Sequence, residues 1–180
     1  MIKFVFKKIT NTREADFADI YTIYLQSFPD FERRNLESLV KNINSKNRFQ
    51  VLAIYINSTL VGFINYWRFD TFLYIEHFAI KDEFRNREMG SESLKLFLKD
   101  SDLPVILEVE IASSDLASRR IRFYEKLGFV LLTNEYLQPP YDGISTKIPM
   151  HLMCNDFDFG KKHFELIKNV LYKEVYNFNK

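Results

Sequence analysis

The segment Arg85-Asn86-Arg87-Glu88-Met89-Gly90-Ser91 combines residue types that bind phosphate and other anions. It connects a strand-like run to a helix-like run, and the first turn of a helix offers free backbone N–H groups and a partial positive charge. Arg85 and Arg87 add positive charge, Ser91 adds a hydroxyl donor, and Gly90 lets the backbone approach a ligand closely. The pattern predicts an anion-binding loop, although a solvated turn with two surface arginines accounts for the loop equally well when it is taken alone.

Acidic and titratable side chains flank this loop on both sides. Glu76 and His77 lie in the strand-like run before it. His77 titrates near neutral pH, but its neighbours on that strand face are apolar, which favours a buried structural histidine. Glu108 and Glu110 share one face of the next predicted strand, where they could line a pocket for a cationic amine or pair with arginines. Tyr141 lies in an aromatic, proline-stiffened loop, and such loops often shape substrate pockets.

Strands and helices predicted from hydrophobic periodicity position these residues. The predicted strands cover residues 4–9, 50–56, 60–68, 72–80, 104–111, 129–133 and 149–154. The predicted helices cover residues 16–27, 30–43, 91–99, 118–127 and 161–178, and residues 136–147 are predicted to form a loop. Gly128 fits a helix C-terminal cap. The order of elements indicates a mixed sheet with helices on both faces.

Two segments, residues 85–90 and residues 122–129, resemble the two signatures of the GNAT superfamily of N-acetyltransferases. The loop is similar to the family's Arg/Gln-x-x-Gly-x-Gly/Ala pattern, and the run at residues 74–80 resembles its fourth strand. The sequence Arg122-Phe123-Tyr124-Glu125-Lys126-Leu127-Gly128-Phe129 resembles the second signature, a helix that runs into Gly-Phe. Residues 136–141 together with Pro149-Met150 resemble a bacterial branch of the family.

The resemblance implies an α/β fold of the mixed α+β kind. Its centre would be a mixed, mostly antiparallel sheet of about six to seven strands with helices on both faces, plus a C-terminal helix. The predicted acyl-CoA-binding acyltransferase domain spans residues 1–154, and a helical extension spans residues 155–180. We expect the apolar stripe of the extension to pack on the same domain or to form a homodimer interface.

The resemblance also implies the reaction, which is direct transfer of an acetyl group from the co-substrate acetyl-CoA to a primary amine. The acceptor would be a small-molecule amine or a peptide amine. The main chain of Phe78, Ala79 and Ile80 would pair with the pantetheine arm, and the loop from Arg85 to Ser91 would hold the phosphates.

Two side chains would move the protons of this reaction. Tyr124 matches the tyrosine that often serves as general acid in the family and would protonate the leaving thiolate; the alternative is a core tyrosine packed on an amphipathic helix. Glu76 would be the general base that accepts the amine proton, or else a structural glutamate that hydrogen-bonds a neighbouring strand or loop. Free glutamate has a pKa near 4.3, so Glu76 would need burial or a relaying water to serve well.

Glu88 departs from the family pattern, which has a glycine at this position. A carboxylate beside a diphosphate is unfavourable by about 1 kcal/mol in water and about 4 kcal/mol at an effective dielectric of 20, for charges 4 Å apart. If the position needs a positive φ, a non-glycine residue adds strain of order 1–3 kcal/mol. Glu88 therefore keeps open an alternative, a non-catalytic CoA-binding or protein-interaction module on the same fold.

The composition narrows the function classes. The 25 basic and 24 acidic residues leave a net charge of +1, which is too balanced to favour nucleic acid or an anionic membrane as partner. The first residues do not resemble a signal peptide, and no apolar run approaches the roughly 20 residues of a membrane span. The single cysteine, Cys154, excludes an internal disulfide and fits a reducing compartment. We expect a cytoplasmic enzyme without a metal.

Overall fold

The computed structural model describes residues 3–45, 48–85, 88–141 and 146–178, and these residues include seven β-strands. The strands are β1 (Phe4–Ile9), β2 (Phe49–Ile56), β3 (Thr59–Arg68), β4 (Leu73–Ile80), β5 (Val105–Glu110), β6 (Val130–Gln138) and β7 (Ile148–Cys154). The pairs β1–β2, β2–β3, β5–β7 and β6–β7 are antiparallel. The predicted mixed, mostly antiparallel fold class is confirmed.

The helices lie between and after these strands. They are α1 (Ala15–Ser27), α2 (Leu36–Asn44), α3 (Met89–Lys99), α4 (Asp115–Glu125), α5 (Phe157–Lys162) and α6 (Phe164–Val170), followed by a π-helical turn over Leu171–Val175. Among the described residues, none of the helices is long and apolar enough to cross a membrane.

The chain divides into two compact units. The first unit comprises Met1–Asp70 and Tyr74–Asp100, and the second comprises Thr71–Leu73 and Ser101–Lys180.

In the first unit the strand order is β1-β2-β3-β4, and both faces of β3 are covered. Tyr24 of α1 packs edge-on against Phe63 with ring centroids 6.1 Å apart. Tyr66 packs edge-on against Phe97 of α3 at 5.2 Å. Phe63 and Tyr66 are three positions apart on one strand and therefore point to opposite faces. Helices thus lie on both faces of this part of the sheet, as predicted.

In the second unit the strand order is β5-β7-β6, and the C-terminal helices cover it. Gly160 of α5 approaches so closely that a Cβ there would lie 2.8 Å from Cβ of Cys154. Ile167, Leu171 and Val175 are fully buried. The apolar stripe predicted for the C-terminal segment is therefore packed within this unit.

The predicted helix over residues 30–43 is wrong in its first half. Asp30–Glu32 forms a 3-10 turn, and the backbone is extended until α2 begins. Asn35 caps α2 by accepting a hydrogen bond from the Ser38 N–H at 2.8 Å. The break has a tertiary cause, because the Arg34 N–H donates to the Tyr24 hydroxyl oxygen at 2.7 Å and the Arg34 side chain is buried.

Three boundaries in the second unit also differ from the prediction. Helix α4 begins earlier, because Ser114 caps it by accepting from the Ala117 N–H at 3.1 Å. Strand β6 extends into the predicted loop, where Tyr136, Leu137 and Gln138 pair with β7. The predicted helix over 161–178 is instead α5, α6 and the π-helical turn, so it starts earlier and is interrupted at His163.

Candidate active site

The predicted anion-binding loop lies where expected, between β4 and α3. Glu88 occupies the N-cap position of α3 with φ 58° and ψ 4°, in the left-handed region, and its side chain does not cap the helix. The Ser91 hydroxyl donates to the Glu88 carbonyl oxygen at 2.9 Å and fixes the turn. The position therefore needs the positive φ that a glycine would adopt without strain. Asn86 and Arg87, which were predicted to bind the cofactor, lie outside the described residues.

Helix α3 carries the other predicted loop residues in its first turn. Met89 is its first residue, followed by Gly90 and Ser91, and all three are half-buried. The first N–H groups of a helix lack partners within it. Because Glu88 provides no side-chain cap, they can receive an anion.

Arg85 folds back onto the end of β4. Its Nε donates to the Ile80 carbonyl oxygen at 3.0 Å, its Nη1 lies 2.8 Å from the Asp82 carboxylate, and its Nη2 donates to the Ser27 hydroxyl at 3.4 Å. Ile80 is one of the three residues whose main chain was predicted to pair with the cofactor. Arg85 thus ties the predicted phosphate loop to the predicted pantetheine strand.

Strand β4 also carries Glu76, the predicted base, which is held in a buried cluster. Arg34 Nη2 lies 2.8 Å from Glu76 Oε1, and the two side chains are 4% and 0% exposed. Trp67 Nε1 donates to Glu76 Oε2 at 2.8 Å, and the Arg34 guanidinium lies 5.5 Å from the Trp67 ring centroid. Burial would raise the pKa of Glu76, but the charge of Arg34, the electrostatic interaction with His77 and the Trp67 hydrogen bond together outweigh it, so the pKa lies below its ordinary value of 4.5. Glu76 is therefore an ionised carboxylate with its charge partner in place.

His77 has the surroundings of a core histidine. It is 3% exposed, its Nε2 lies 2.8 Å from the Glu32 carbonyl oxygen, and its ring packs edge-on against Tyr24 and Phe28 at 4.8 and 4.6 Å. Burial lowers its pKa, so the ring is neutral near pH 7 and donates its Nε2 proton to Glu32. His77 and Arg34 together hold the extended segment that precedes α2.

Tyr124 lies in the last turn of α4, in the second unit. Its ring packs edge-on against Phe123 at 5.1 Å and Phe129 at 5.7 Å, and its carbonyl oxygen accepts from the Phe129 N–H at 3.1 Å. Gly128 makes this turn with φ 88°. Burial raises the pKa of Tyr124 to about 12, against the opposing charge of Arg120. The phenol therefore keeps its proton at neutral pH and can donate a hydrogen bond.

The two glutamates predicted to line an acceptor pocket both lie on β5, and both have partners. Glu110 Oε2 lies 2.5 Å from Arg120 Nη1. Glu108 accepts hydrogen bonds from Tyr136, Gln138 and Tyr176, the last at 2.6 Å.

Tyr141, the third residue predicted for the acceptor pocket, reaches the same cluster. Its ring packs against Tyr176 with centroids 5.1 Å apart. The C-terminal segment therefore completes the surroundings of Glu108.

Cys154 is a buried free thiol on β7. Burial raises its pKa to about 11, so it is a poor nucleophile at neutral pH. The described residues contain no group of three His, Cys, Asp or Glu side chains placed to hold a metal ion.

Sequence reasoning missed three residues that organise these clusters, namely Gly62, Arg34 and Tyr176. Gly62 had a usable signal, because it is one of only five glycines and lies in the middle of a strand, where glycine often marks a close approach of two backbones. Arg34 and Tyr176 had no such sequence signal, because each is one polar residue in an amphipathic segment and its partner is distant in sequence.

The comparisons with known proteins agree with this arrangement. The sequence model of the Acetyltransferase (GNAT) family matches residues 17–129, which include the loop, β4, β5 and α4. No curated protein matches the sequence significantly.

Solved structures resemble the chain over most of its length. A Bacteroides thetaiotaomicron protein assigned to the GNAT acetyltransferase family is 34% identical, with a TM-score of 0.93 over 97% of this chain and 99% of that one. Arabidopsis thaliana NAA60, solved with acetyl-CoA, is 18% identical with a TM-score of 0.61 over 84% of this chain and 97% of that one. Arabidopsis thaliana Naa50, solved with the bisubstrate analogue CoA-Ac-MVNAL, is 18% identical with a TM-score of 0.58 over 86% and 99%. The two plant proteins establish the fold alone.

Proposed function

Because this chain belongs to the GNAT family of acetyltransferases, we propose that it transfers the acetyl group of acetyl-CoA to a primary amine by direct attack. The family membership and the assignment as an acyltransferase confirm the sequence predictions. Acetyl-CoA is the co-substrate. The proposal depends on the unit formed by β4, the loop and α3, which lies within the residues that the family model matches. In this unit Glu88 gives the N-terminus of α3 no side-chain cap, and Arg85 of the loop binds the Ile80 carbonyl at the end of β4.

The proposed cofactor site uses main-chain groups first. The pantetheine arm pairs with the main chain of Phe78, Ala79 and Ile80, and a backbone N–H there polarises the thioester carbonyl. The diphosphate is held by the first turn of α3 and the residues from Arg85 to Ser91. Arg85 keeps its Nε bond to Ile80 while its Nη atoms exchange the exposed Asp82 carboxylate for a phosphate. Such charge-assisted hydrogen bonds are stronger than hydrogen bonds between neutral groups.

In the proposed reaction the amine nitrogen bonds to the acetyl carbon, the carbon–sulfur bond breaks, and the products are an amide and the CoA thiol. Tyr124 serves as the acid at the leaving sulfur. Its pKa of about 12 exceeds that of an ordinary thiol, near 8.5, so complete proton transfer to the thiolate would cost about 5 kcal/mol. Tyr124 therefore acts chiefly by donating a hydrogen bond to the developing thiolate, with full transfer coupled to collapse of the intermediate.

Glu76 is the proposed proton acceptor, through a relaying water. Its ionised state suits a base, but its lowered pKa makes it a weak one, and Arg34 competes for the same carboxylate. A base of low pKa works when the proton leaves an intermediate in which the attacking nitrogen is already cationic and acidic. We therefore propose that Glu76 removes the proton after the amine nitrogen has bonded to the acetyl carbon.

The proposed acceptor is a small-molecule or peptide amine, and Glu108, Glu110 and Tyr141 are proposed to shape its pocket. The Naa50 bisubstrate analogue supports the peptide alternative. Glu108 uses both carboxylate oxygens within its cluster, so it would attract a cationic amine through its electric field. Glu110 pairs with Arg120 through Oε2. A cytoplasmic location completes the proposal. The single buried cysteine fits this location.

Calorimetric titration with acetyl-CoA tests the cofactor, and a panel of amines with detection of released thiol tests the reaction. Binding in the micromolar range together with amine-dependent thiol release is the expected result. Absence of binding at high micromolar acetyl-CoA would overturn the proposal.

A second candidate function, a non-catalytic CoA-binding module, is favoured by Glu88. This residue places both a carboxylate and a strained backbone at the phosphate loop. Acetyl-CoA binding without thiol release for any amine of the panel would favour this module over the enzyme.

A further inference from the structure

Strands β3 and β4 lie very close together at Gly62, which is buried. A Cβ at this position would lie 2.3 Å from the Ala79 carbonyl oxygen, 2.8 Å from Ile80 Cδ1 and 3.1 Å from Ile80 Cα. Two of these three atoms belong to the main chain and cannot turn away as a side chain can. Strand β4 thus occupies the space that the side chain of any residue other than glycine would need at position 62.

An irregularity in β3 lies directly beside this contact. Ile54 pairs with Gly62 and Tyr55 with Leu60, so Val61 is an extra residue on β3 and forms a bulge. The Val61 carbonyl oxygen accepts from the Lys81 N–H at 2.8 Å. Bulges re-aim a strand where pairing changes, and this one fastens the residue that follows β4.

The end of β4 is therefore held from two sides. Val61 binds the Lys81 N–H, and Arg85 Nε binds the Ile80 carbonyl oxygen. Between these two bonds, Gly62 leaves room for the Ala79 carbonyl to come close to β3. The main-chain groups of Ala79 and Ile80 are those proposed to pair with the pantetheine arm.

We propose that Gly62 is a positioning residue for acetyl-CoA, because its missing side chain lets the Ala79–Ile80 main chain take the place from which it pairs with the cofactor. The proposal rests on the proposed function, since it takes β4 as the cofactor strand. Gly62 touches neither the cofactor nor the acceptor in this view, and acts through β4 alone.

The test compares Gly62→Ala with a matched control, Gly160→Ala. A Cβ at Gly160 would meet Cβ of Cys154 at 2.8 Å and the Leu132 methyl groups at 3.0 and 3.1 Å, so it overpacks a buried site that β4 does not form. Misplacement of a binding group by about 1 Å costs up to about a hundredfold. We expect Gly62→Ala to raise the Kd and KM for acetyl-CoA about tenfold or more, with the KM for the amine nearly unchanged. Gly160→Ala should lose thermal stability without losing acetyl-CoA affinity.

A double variant separates positioning from stability. Ile80→Ala in the Gly62→Ala background removes the Cδ1 contact but keeps the contact with the Ala79 oxygen, so thermal stability should partly recover while acetyl-CoA affinity should not. If Gly62→Ala gives no folded protein, hydrogen exchange of the wild type decides, because saturating acetyl-CoA should slow exchange of the Lys81 amide. Unchanged acetyl-CoA affinity in Gly62→Ala, an equal loss in Gly160→Ala, or an unaffected Lys81 amide would each overturn the proposal. Failure of the wild type to bind acetyl-CoA would instead count against the proposed function.

Discussion

Arg34 and Glu76 form an ion pair inside the first unit, with Nη2 2.8 Å from Oε1 and both side chains almost fully buried. Replacing Arg34 by Met leaves the carboxylate without its charge partner, and removal of one member of such a pair costs about 3–5 kcal/mol. Urea unfolding at pH 7 should show this loss in the free energy of unfolding. The double variant Arg34→Met/Glu76→Gln should recover part of it, and a stable single variant would contradict the prediction.

The stability of the Arg34→Met variant should depend on pH with a defined sign. In the wild type the folded-state pKa of Glu76 is below 4.5, so its stabilising contribution is present above its unfolded pKa and is lost as pH falls through the folded pKa. Without Arg34, burial raises the folded-state pKa above the unfolded value. The variant should therefore regain stability relative to the wild type as pH falls from 7 towards the unfolded-state pKa of Glu76. A constant difference across that range would mean that Arg34 does not control the ionisation of Glu76.

Glu76→Gln tests the proton acceptor. Because the pKa of Glu76 lies below 4.5, the acidic limb of kcat/KM against pH should fall below that value in the wild type and flatten or shift in the variant. Arg34→Met should move the limb upward. An identical profile for wild type and Glu76→Gln would assign proton removal to solvent or to another group.

Glu88→Gly should remove both the backbone strain and the charge repulsion at the phosphate loop. Glycine adopts the φ of 58° without the strain of about 1–3 kcal/mol, and loss of the carboxylate removes repulsion of about 1 kcal/mol or more. We expect the Kd for acetyl-CoA to fall about fivefold or more, measured by calorimetry. Glu88→Gln separates the two effects, because it removes the charge and keeps the strained backbone. If neither variant changes the affinity, Glu88 does not weaken the loop.

Tyr124→Phe should lower kcat by about a hundredfold or more, the usual effect of losing a general acid, with little change in acetyl-CoA affinity. The ring contacts with Phe123 and Phe129 remain, so the fold should survive. Tyr66→Phe is a suitable control, because Tyr66 packs on Phe97 in the first unit. Stopped-flow detection of thiol release measures both variants, and full turnover in Tyr124→Phe would remove Tyr124 from the mechanism.

Tyr176→Phe should destabilise the second unit by about 1–3 kcal/mol, the cost of removing a hydrogen bond to a buried charged group. Its hydroxyl donates to Glu108 at 2.6 Å and accepts from Gln138 at 2.9 Å. Tyr172→Phe is the comparison, because its hydroxyl donates at 2.5 Å to the neutral Leu137 carbonyl and should cost less. Equal losses by urea unfolding would mean that the charge of Glu108 contributes little.

The sequence predicted those features that depend on local patterns. The position of the loop between β4 and α3 followed from the residue types at a strand–helix junction, and the cap at Gly128 followed from one glycine after an amphipathic run. The positive φ at Glu88 was anticipated from the family's glycine. In each case the physical cause lies within a few residues of the feature, so a short window contains it.

Features with distant causes escaped prediction. The helical pattern over residues 30–43 is broken because Arg34 bonds Tyr24 and Glu76, which no window around Arg34 contains. Strand β6 is longer than predicted because β7 pairs with Gln138. The partners of Glu108 lie 28, 30 and 68 residues away, so the sequence showed a charged residue on a strand face and not the cluster that holds it.

The separation of Glu108 from Tyr176 also has a consequence for biosynthesis. Tyr176 is made 68 residues after Glu108, which at about 5–20 residues per second is roughly 3 to 14 seconds. During that interval the nascent second unit carries a carboxylate without one of its donors. The first unit is complete at Asp100 and contains both members of its own buried ion pair. All residues of the first unit, with both members of that ion pair, are therefore synthesised well before the second unit is complete.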